Sequence, residues 1–245
     1  MHKPVVLLTA TINCEDVILV DRRDRELREA DYRWAIEGWM GVDGYDTLIF
    51  CENSGADLAK LEEYAASINK FEHRLIFLSC RKNAGARERG KGYGEMEIIR
   101  HAIDTVAELG PEQMILKVTG RYRARNAAHL ISELKVMQGD IFCGMRFNLT
   151  FSNSGVFAIT VNCFREYLLP QQESLDDSKG KCFEHVLADA VHATILSGGR
   201  WSPLPCDPSL YGFSGSQNMR FGYSYLSRLK SHIKGYLSRK AFSTF

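Results

Sequence analysis

The chain has 245 residues, of which 45% are apolar, and its 31 lysines and arginines nearly balance its 30 aspartates and glutamates. This composition is typical of a soluble globular protein and excludes a fibre or a disordered tail. A net charge of +1 provides no overall field for nucleic acid, so we expect no nucleic-acid partner and only local anion sites. No apolar run could span a bilayer and no secretion signal is recognisable, so we expect a cytoplasmic protein.

The first half of the chain alternates β-rich runs with segments of helical periodicity, which predicts an α/β fold with a mainly parallel sheet flanked by helices. The apolar runs predict strands at residues 4–11, 45–51, 74–80 and 113–118. The helical spacing of apolar residues predicts helices at residues 24–40, 56–68 and 95–109.

The second half predicts a helix at 127–137, β-like runs at 140–147 and 155–161 that add antiparallel strands, and a helix at 181–196. We interpret 201–223 as an aperiodic surface loop. Residues 224–245 form a basic amphipathic pattern with no acid from Arg220 onward. That segment is interpreted either as a helix docked on the body or as a helix resting on anionic lipid.

Polar side chains follow each of the four predicted strands of the first half. Because the carboxyl ends of parallel strands meet at one edge of a sheet, where ligands bind, we expect these side chains to converge there. The residues concerned are Thr9, Thr11, Asn13, Glu52, Asn53, Ser54, Lys91, Gly92, Glu95, Lys117, Gly120 and Arg121.

One stretch resembles a nucleotide-binding P-loop. Residues 85–92 match G-x-x-x-x-G-K-[ST] at every position but the last, where Gly92 replaces the hydroxyl that would hold magnesium. A P-loop phosphotransferase or NTPase using Gly85 to Lys91 is therefore one alternative. A looser interpretation is that Lys91 and the N-terminus of the following helix hold a phosphate.

A basic segment follows the fourth strand, with Lys117, Arg121, Arg123 and Arg125 in nine residues. Lys117 lies in an apolar run, so it must meet either an acid or a bound anion, and the sequence leaves both open. Arg121 can present a bidentate guanidinium to phosphate or carboxylate. This corner would suit a diphosphate leaving group.

Taken together, these motifs resemble those of a group of small bacterial glycosyltransferases associated with cell-surface polysaccharide and lipopolysaccharide genes. The resemblance covers roughly residues 4–200. It rests on Thr9-x-Thr11-x-Asn13, Asp21 with Arg28 and Tyr32, Glu52-Asn53-Ser54-Gly55, Gly90-Lys91-Gly92-x-Gly94-Glu95 and Lys117-x-Thr119-Gly120-Arg121-Tyr122. It implies a GT-A-like, Rossmann-related catalytic domain over 1–223. Residues 1–125 would bind a nucleotide-sugar donor, and 126–223 would bind a glycan acceptor such as O-antigen, capsule or lipopolysaccharide.

The resemblance also implies roles for individual residues. Thr9, Thr11 and Asn13 would face the nucleoside, and Arg28 and Tyr32 would border its pocket. Contacts with base or ribose would come from Glu52 and Asn53, beside Ser54. The phosphates would be held by Lys91, Lys117 and Arg121, with Gly92, Glu95 and Gly120 next to them.

GT-A enzymes generally end the fourth strand in an Asp-x-Asp motif that binds a divalent metal, and this chain has Lys117-Val-Thr-Gly-Arg121 there instead. We therefore expect transfer without a required cofactor, with cationic side chains offsetting the charge of the departing diphosphate, while a divalent metal stays open. The acid pair Asp176 and Asp177 is interpreted as a solvated turn.

Transfer with inversion needs a group that removes the proton of the acceptor hydroxyl. Glu184, early in the helix at 181–196, is the predicted base, and Asp189 is a second candidate; Glu184 could instead only stabilise the helix dipole. A non-catalytic protein that binds nucleotide sugar or glycan is a further alternative. Lipid-linked acceptors would suit a peripheral protein whose residues 224–245 lie on an anionic membrane surface.

Overall fold

A computed structural model of the chain describes residues 3–14, 17, 20–81, 84–215 and 219–222. The basic segment predicted to form a helix at 224–245 lies outside the described residues. Within the described ranges, no helix is both long enough and apolar enough to cross a bilayer.

The strands are β1 (Val5–Ala10), β2 (Thr47–Glu52), β3 (Arg74–Ser79), β4 (Met114–Thr119), β5 (Tyr122–Ala124), β6 (Ile141–Phe142), β7 (Met145–Arg146), β8 (Phe151–Ser152), β9 (Val156–Thr160), β10 (Trp201–Ser202), β11 (Leu210–Phe213) and β12 (Arg220–Phe221). A seven-stranded sheet forms the centre of the molecule, in the order β10-β6-β9-β4-β1-β2-β3. The four strands β3, β2, β1 and β4 are mutually parallel, whereas β9 runs antiparallel to both β4 and β6.

Helices cover both faces of this sheet and enclose two apolar layers. Tyr32, Ile36 and Trp39 belong to the layer on one face, while Met96, Ile99 and Val186 belong to the layer on the other. The helices are α1 (Arg25–Met40), α2 (Ala59–Ser67), α3 (Ala84–Arg89), α4 (Lys91–Thr105), α5 (Ala127–Val136), α6 (Val161–Cys163) and α7 (Phe183–Leu196), and helical turns also span Phe164–Leu168, Leu169–Ser174 and Asp177–Lys179.

Local sequence explains where the long helices begin and end. The Asp24 side chain accepts a hydrogen bond from the backbone N–H of Leu27 and starts α1. Helix α7 ends before Gly198, whose φ of +83° is readily adopted only by glycine. The alternation of apolar periodicities therefore predicted the parallel sheet and its helices correctly, including the antiparallel addition at β9.

Two predictions for the local structure are wrong. Residues 84–89 form helix α3, whereas the sequence was interpreted as a glycine loop there. The segment 201–223 was interpreted as a loop, but it contains β10, β11 and β12, and β11 pairs with β5 and β12 in a separate three-stranded sheet. These strands are short and aperiodic, so their pairing is set by long-range contacts rather than by a local pattern.

Candidate active site

A cavity of about 430 Å³ opens at the carboxyl ends of the parallel strands. Strand β1 leads into it through Thr9 and Thr11, β2 through Asn53, and β4 through Thr119 and Arg121. The following predicted site residues line it: Thr9, Thr11, Arg28, Tyr32, Asn53, Lys91, Gly92, Glu95, Arg121 and Glu184. The predicted convergence at this edge of the sheet is therefore confirmed for these residues, while their individual roles stay predictions.

Arg121 places a buried cation at the wall of the cavity. Only 8% of the residue is exposed, and its guanidinium donates from Nε to the Phe213 carbonyl at 3.3 Å and from Nη1 to the Tyr32 hydroxyl at 3.2 Å. It forms no salt bridge with any carboxylate of the described residues. A buried charge needs a compensating partner, so this guanidinium is suited to an anion entering the cavity.

Arg28 and Tyr32, on α1, extend this basic corner. Arg28 donates to the Thr11 carbonyl at 2.6 Å, to the Arg22 carbonyl at 2.9 Å and to the Tyr32 hydroxyl at 3.0 Å. The Tyr32 hydroxyl also accepts from the Thr11 N–H at 2.9 Å. We call Arg28, Tyr32 and Arg121 the arginine cluster; its hydrogen bonds fix both guanidinium groups beside the end of β1.

Lys117 was predicted to hold phosphate, and the structure contradicts this. The residue is fully buried and does not line the cavity. Its ammonium forms a salt bridge with Glu95 and donates to the Ser154 carbonyl at 2.6 Å and the Thr119 hydroxyl at 3.4 Å. An ammonium has three protons to donate, so all are used within the protein. Lys117 thus holds Glu95 and Ser154 at the cavity wall.

Glu52, predicted to contact base or ribose, also faces inward. It is fully buried, and its carboxylate accepts from the backbone N–H groups of Ile12 at 2.9 Å, Ser54 at 2.8 Å and Ala56 at 3.1 Å. Asn13 and Ser54 belong to the same structure, since the Asn13 N–H donates to the Ser54 hydroxyl at 3.0 Å. The predicted site residues Glu52, Asn13 and Ser54 do not line the cavity, because they form hydrogen bonds within the loops after β1 and β2.

Thr11 and Asn53 connect the same two loops but keep contact with the cavity. The Thr11 hydroxyl donates to the Asn53 side-chain oxygen at 2.7 Å, and the Asn53 amide donates to the Gly94 carbonyl at 3.3 Å. Gly120, another predicted site residue, lies outside the cavity lining. A side chain there would meet the Thr9 carbonyl oxygen at 2.6 Å, so glycine permits the close approach of β1 to the end of β4.

The P-loop interpretation is wrong. Residues between Gly85 and Gly90 belong to α3, so their N–H groups cannot form an open phosphate cradle. At the start of α4 the Gly92 N–H is already taken, because it donates to Asp177 Oδ2 at 3.1 Å. Gly90, with a φ of +104°, has no room for a side chain, since a Cβ would lie 2.5 Å from the Asp177 Cβ.

Asp177 is a cavity residue that the sequence did not reveal, because an acid pair in a turn is usually solvated. One carboxylate oxygen accepts from Gly92, and the other, Oδ1, is buried without a hydrogen-bond partner among the described residues. Burial raises the pKa of the Asp177 carboxyl above its ordinary value, and the hydrogen bond from Gly92 offsets this only in part. Residues from β11, β12 and the turn between them, Leu210, Ser214, Gly215, Met219 and Arg220, were missed as well.

Glu184 lines the cavity at the first turn of α7. Its Oε1 accepts from the Ser154 hydroxyl at 2.7 Å. Burial alone would raise the pKa of Glu184, but the hydrogen bonds from Ser154 and Cys182 hold it below its ordinary value, so the group is ionised at neutral pH. Asp189, the second candidate base, forms a salt bridge with Lys181 at 2.5 Å and does not line the cavity.

The end of β4 carries Lys117 and Arg121 in place of an Asp-x-Asp pair. The Glu95 carboxylate is neutralised by the Lys117 ammonium, and a second cation beside that ammonium would be repelled. Within the described ranges, no group of three or more His, Cys, Asp or Glu residues is arranged to hold a metal ion.

No protein-family profile matches this sequence, and no curated protein matches it in sequence. Solved structures do match it in fold. The galactosyltransferase LgtC, solved in complex with donor and acceptor sugar analogs, aligns with a TM-score of 0.51 at 10% identity over 81% of this chain and 72% of that chain.

Two further matches are weaker. The glycosyltransferase GlyE of Streptococcus pneumoniae TIGR4 gives a TM-score of 0.48 at 10% identity over 82% of this chain and 45% of that chain. A cytidylyltransferase from Leptospira borgpetersenii gives 0.46 at 12% identity over 100% and 96%. At such low identity the likeness to LgtC concerns the fold and not the activity. With its mixed, mainly parallel sheet flanked by helices, the chain has a GT-A-like fold.

Proposed function

We propose that this chain transfers a sugar from a nucleoside-diphosphate sugar to a glycan acceptor, of the O-antigen, capsule or lipopolysaccharide type. The observation that carries the proposal is Arg121, a buried guanidinium at the cavity wall without a carboxylate partner among the described residues. A diphosphate supplies the missing negative charge and accepts bidentate hydrogen bonds. The cavity volume of about 430 Å³ also falls in the range of small-molecule sites.

The donor would lie along the carboxyl edge of the sheet. Thr9, Thr11 and Asn53 would contact the nucleoside, and Arg121 and Lys91 would bind the diphosphate. Arg28 and Tyr32 would position Arg121, because the Tyr32 hydroxyl accepts a hydrogen bond from each of the two guanidinium groups. Residues 1–125 would thus bind the donor, while 126–223 would provide the acceptor side with Glu184.

In the proposed reaction, the bond between the anomeric carbon and the diphosphate oxygen breaks, and the acceptor oxygen bonds to that carbon. Arg121 and Lys91 stabilise the negative charge that develops on the departing nucleoside diphosphate, which is the task a divalent metal performs in other enzymes. Glu184 accepts the proton of the acceptor hydroxyl, for which its ionised state is suited. We propose that no metal is required.

A thermal-shift screen of nucleotide sugars, with and without EDTA, tests donor binding and metal dependence together. We expect one or more nucleoside-diphosphate sugars to raise the melting temperature of the wild type, with or without EDTA. The variant Arg121→Met should lose most of that shift, whereas Arg165→Met, which removes an exposed arginine of a distant ion pair with Asp104, should keep it. A shift that disappears with EDTA would contradict metal-independent binding.

A non-catalytic protein of the same fold would bind the donor without turnover. Release of nucleoside diphosphate in the presence of acceptor distinguishes the two functions.

We further propose a cytoplasmic location, with residues 224–245 resting on an anionic membrane surface. Deleting these residues should weaken binding to anionic vesicles, and unchanged binding would contradict this role.

A further inference from the structure

An apolar patch lies outside the cavity, formed by the tip of the β7–β8 hairpin and the last turn of α7. It consists of Phe147, Leu149, Ile195 and Leu196, which we call the hairpin patch. Phe147 is 73% exposed and Leu196 is 88% exposed. These four are half of the eight large apolar residues that are exposed in the described part of the chain. Such clustering of exposed apolar side chains is typical of an interaction surface.

One hydrogen bond places the hairpin tip beside the last turns of α7. The Leu149 carbonyl oxygen lies 2.8 Å from His192 Nε2 on α7. Ile195 and Leu196 follow His192 by three and four residues, so they lie one turn further along the same side of the helix. At the other end, the Phe147 ring meets the edge of Phe151, with ring centroids 5.6 Å apart.

The backbone at the hairpin tip adopts an unfavourable conformation in which Phe147 and Leu149 are exposed. Phe147, Asn148 and Leu149 have φ values of 48°, 55° and 63°, all in the left-handed region. Such a conformation costs a residue with a side chain about 1–2 kcal/mol, and only Gly, Asn and Asp adopt it routinely. Packing of the core does not require Phe or Leu at these exposed positions. Strain that holds large apolar side chains in solvent points to a role for them outside the fold.

Exposed cations border the hairpin patch, and the acids that flank it have partners. Asp189, one turn before His192 on α7, forms a salt bridge with Lys181 at 2.5 Å, and Asp140 accepts from the Arg200 N–H at 2.7 Å. Residues 141–165 and 190–206 contain no aspartate or glutamate. Arg146, next to the tip, and Arg200, after α7, are both exposed in these segments. An apolar surface with exposed arginines at its border, whose flanking acids Asp140 and Asp189 are already hydrogen-bonded or paired, is complementary to an anionic lipid headgroup layer with hydrocarbon beneath it.

We propose that the hairpin patch docks this protein on an anionic lipid surface. Phe147 and Leu149 enter the boundary between headgroups and acyl chains, and Arg146 and Arg200 face the lipid phosphates. The hairpin continues through residues 153–155 into the cavity wall, and α7 carries Glu184 at its other end. Docking therefore fixes the orientation of the cavity relative to the bilayer. The docking itself does not depend on the proposed sugar transfer.

The proposal is tested by sedimentation of the full chain with phosphatidylcholine vesicles that contain about 30 mol% of the anionic lipid phosphatidylglycerol. The double variant Phe147→Asn and Leu149→Asn removes the apolar side chains and keeps residues that accept left-handed φ values. We expect its partition coefficient to fall at least about tenfold, from the apolar area withdrawn from the membrane. The matched control, Leu27→Asn with Val136→Asn, removes two exposed apolar side chains elsewhere and should bind like the wild type.

A charge variant completes the test. Arg146→Gln with Arg200→Gln should lower the partition coefficient at least about fivefold on anionic vesicles and little on pure phosphatidylcholine. Unchanged partitioning of the Phe147 and Leu149 double variant overturns the proposal. So does a change in its oligomeric state by light scattering without a change in vesicle binding, since the patch would then join two copies of the chain. Nucleoside-diphosphate binding by the same variant reports separately on the proposed function.

Discussion

Replacing Arg121 by Met removes the guanidinium and keeps much of the side-chain volume. Two unit charges 4 Å apart interact by about 4 kcal/mol at an effective dielectric constant of about 20. A hydrogen bond to a charged group contributes about 1.5–3 kcal/mol net. Because Arg121 is nearly buried and has no carboxylate partner among the described residues, most of this energy is available to a bound diphosphate. We expect a loss of about 2–4 kcal/mol, or roughly 30-fold to several-hundred-fold weaker binding.

The matched comparison is Lys117→Met, which removes another buried cation of this region. Lys117 is fully buried and paired with Glu95, so its loss leaves a carboxylate without its counter-charge. Breaking a buried ion pair in this way costs about 3–5 kcal/mol of unfolding free energy. That corresponds to a fall in Tm of about 10 °C for a chain of this size. Arg121→Met instead removes a charge that forms no salt bridge among the described residues, so its Tm should change by no more than about 3 °C.

Isothermal titration with nucleoside diphosphates, together with thermal unfolding of both variants, provides the two measurements. The expected pattern is lost binding with preserved stability for Arg121→Met, and lost stability for Lys117→Met. If Arg121→Met binds nucleoside diphosphates like the wild type, or unfolds as early as Lys117→Met, then Arg121 is a structural residue and does not bind the diphosphate.

Three further predictions concern carboxylates. Glu52→Gln should lower the unfolding free energy by about 2–4 kcal/mol in denaturant titrations, because one carboxylate serves three backbone N–H groups; an effect below about 0.5 kcal/mol contradicts this. Folding raises the pKa of Asp177, so the contribution of this carboxyl to stability falls as the pH rises above the ordinary pKa of 3.8. Asp177→Asn should therefore have a higher Tm than the wild type at pH 7 but not at pH 3. Equal Tm differences at the two pH values would contradict a raised pKa. Glu184→Gln should lower the transfer rate about 10²–10⁴-fold while donor binding survives, and an unchanged rate removes Glu184 from the mechanism.

The sequence allowed the fold to be predicted because its determinants are local. Strands such as Val5–Ala10 are apolar on both faces, and helices such as Arg25–Met40 carry a side-chain cap at the start. The parallel arrangement then brought the strand ends to one edge, where Thr9, Thr11 and Arg121 do lie together. Composition and periodicity suffice for this level of structure.

The partners of the polar residues could not be predicted in the same way. Lys117 in an apolar strand had to meet an acid or an anion, but only the packing of α4 on the sheet shows that the acid is Glu95. Asp177 reaches Gly92, 85 residues away in sequence, and a turn containing two acids gives no sign of that contact. Glu52 faces inward because the loops after β1 and β2 leave N–H groups that need an acceptor.

In the proposed reaction, a nucleoside-diphosphate sugar binds in the cavity and the arginine cluster binds its diphosphate. The most direct measurement is the release of nucleoside diphosphate from a panel of nucleotide sugars, followed by mass spectrometry in EDTA with a glycan acceptor mixture. We expect release by the wild type, none above background by Arg121→Met, and retained donor binding without release by Glu184→Gln. Donor binding by the wild type without any release, or release that survives the loss of Arg121, would contradict the proposed reaction.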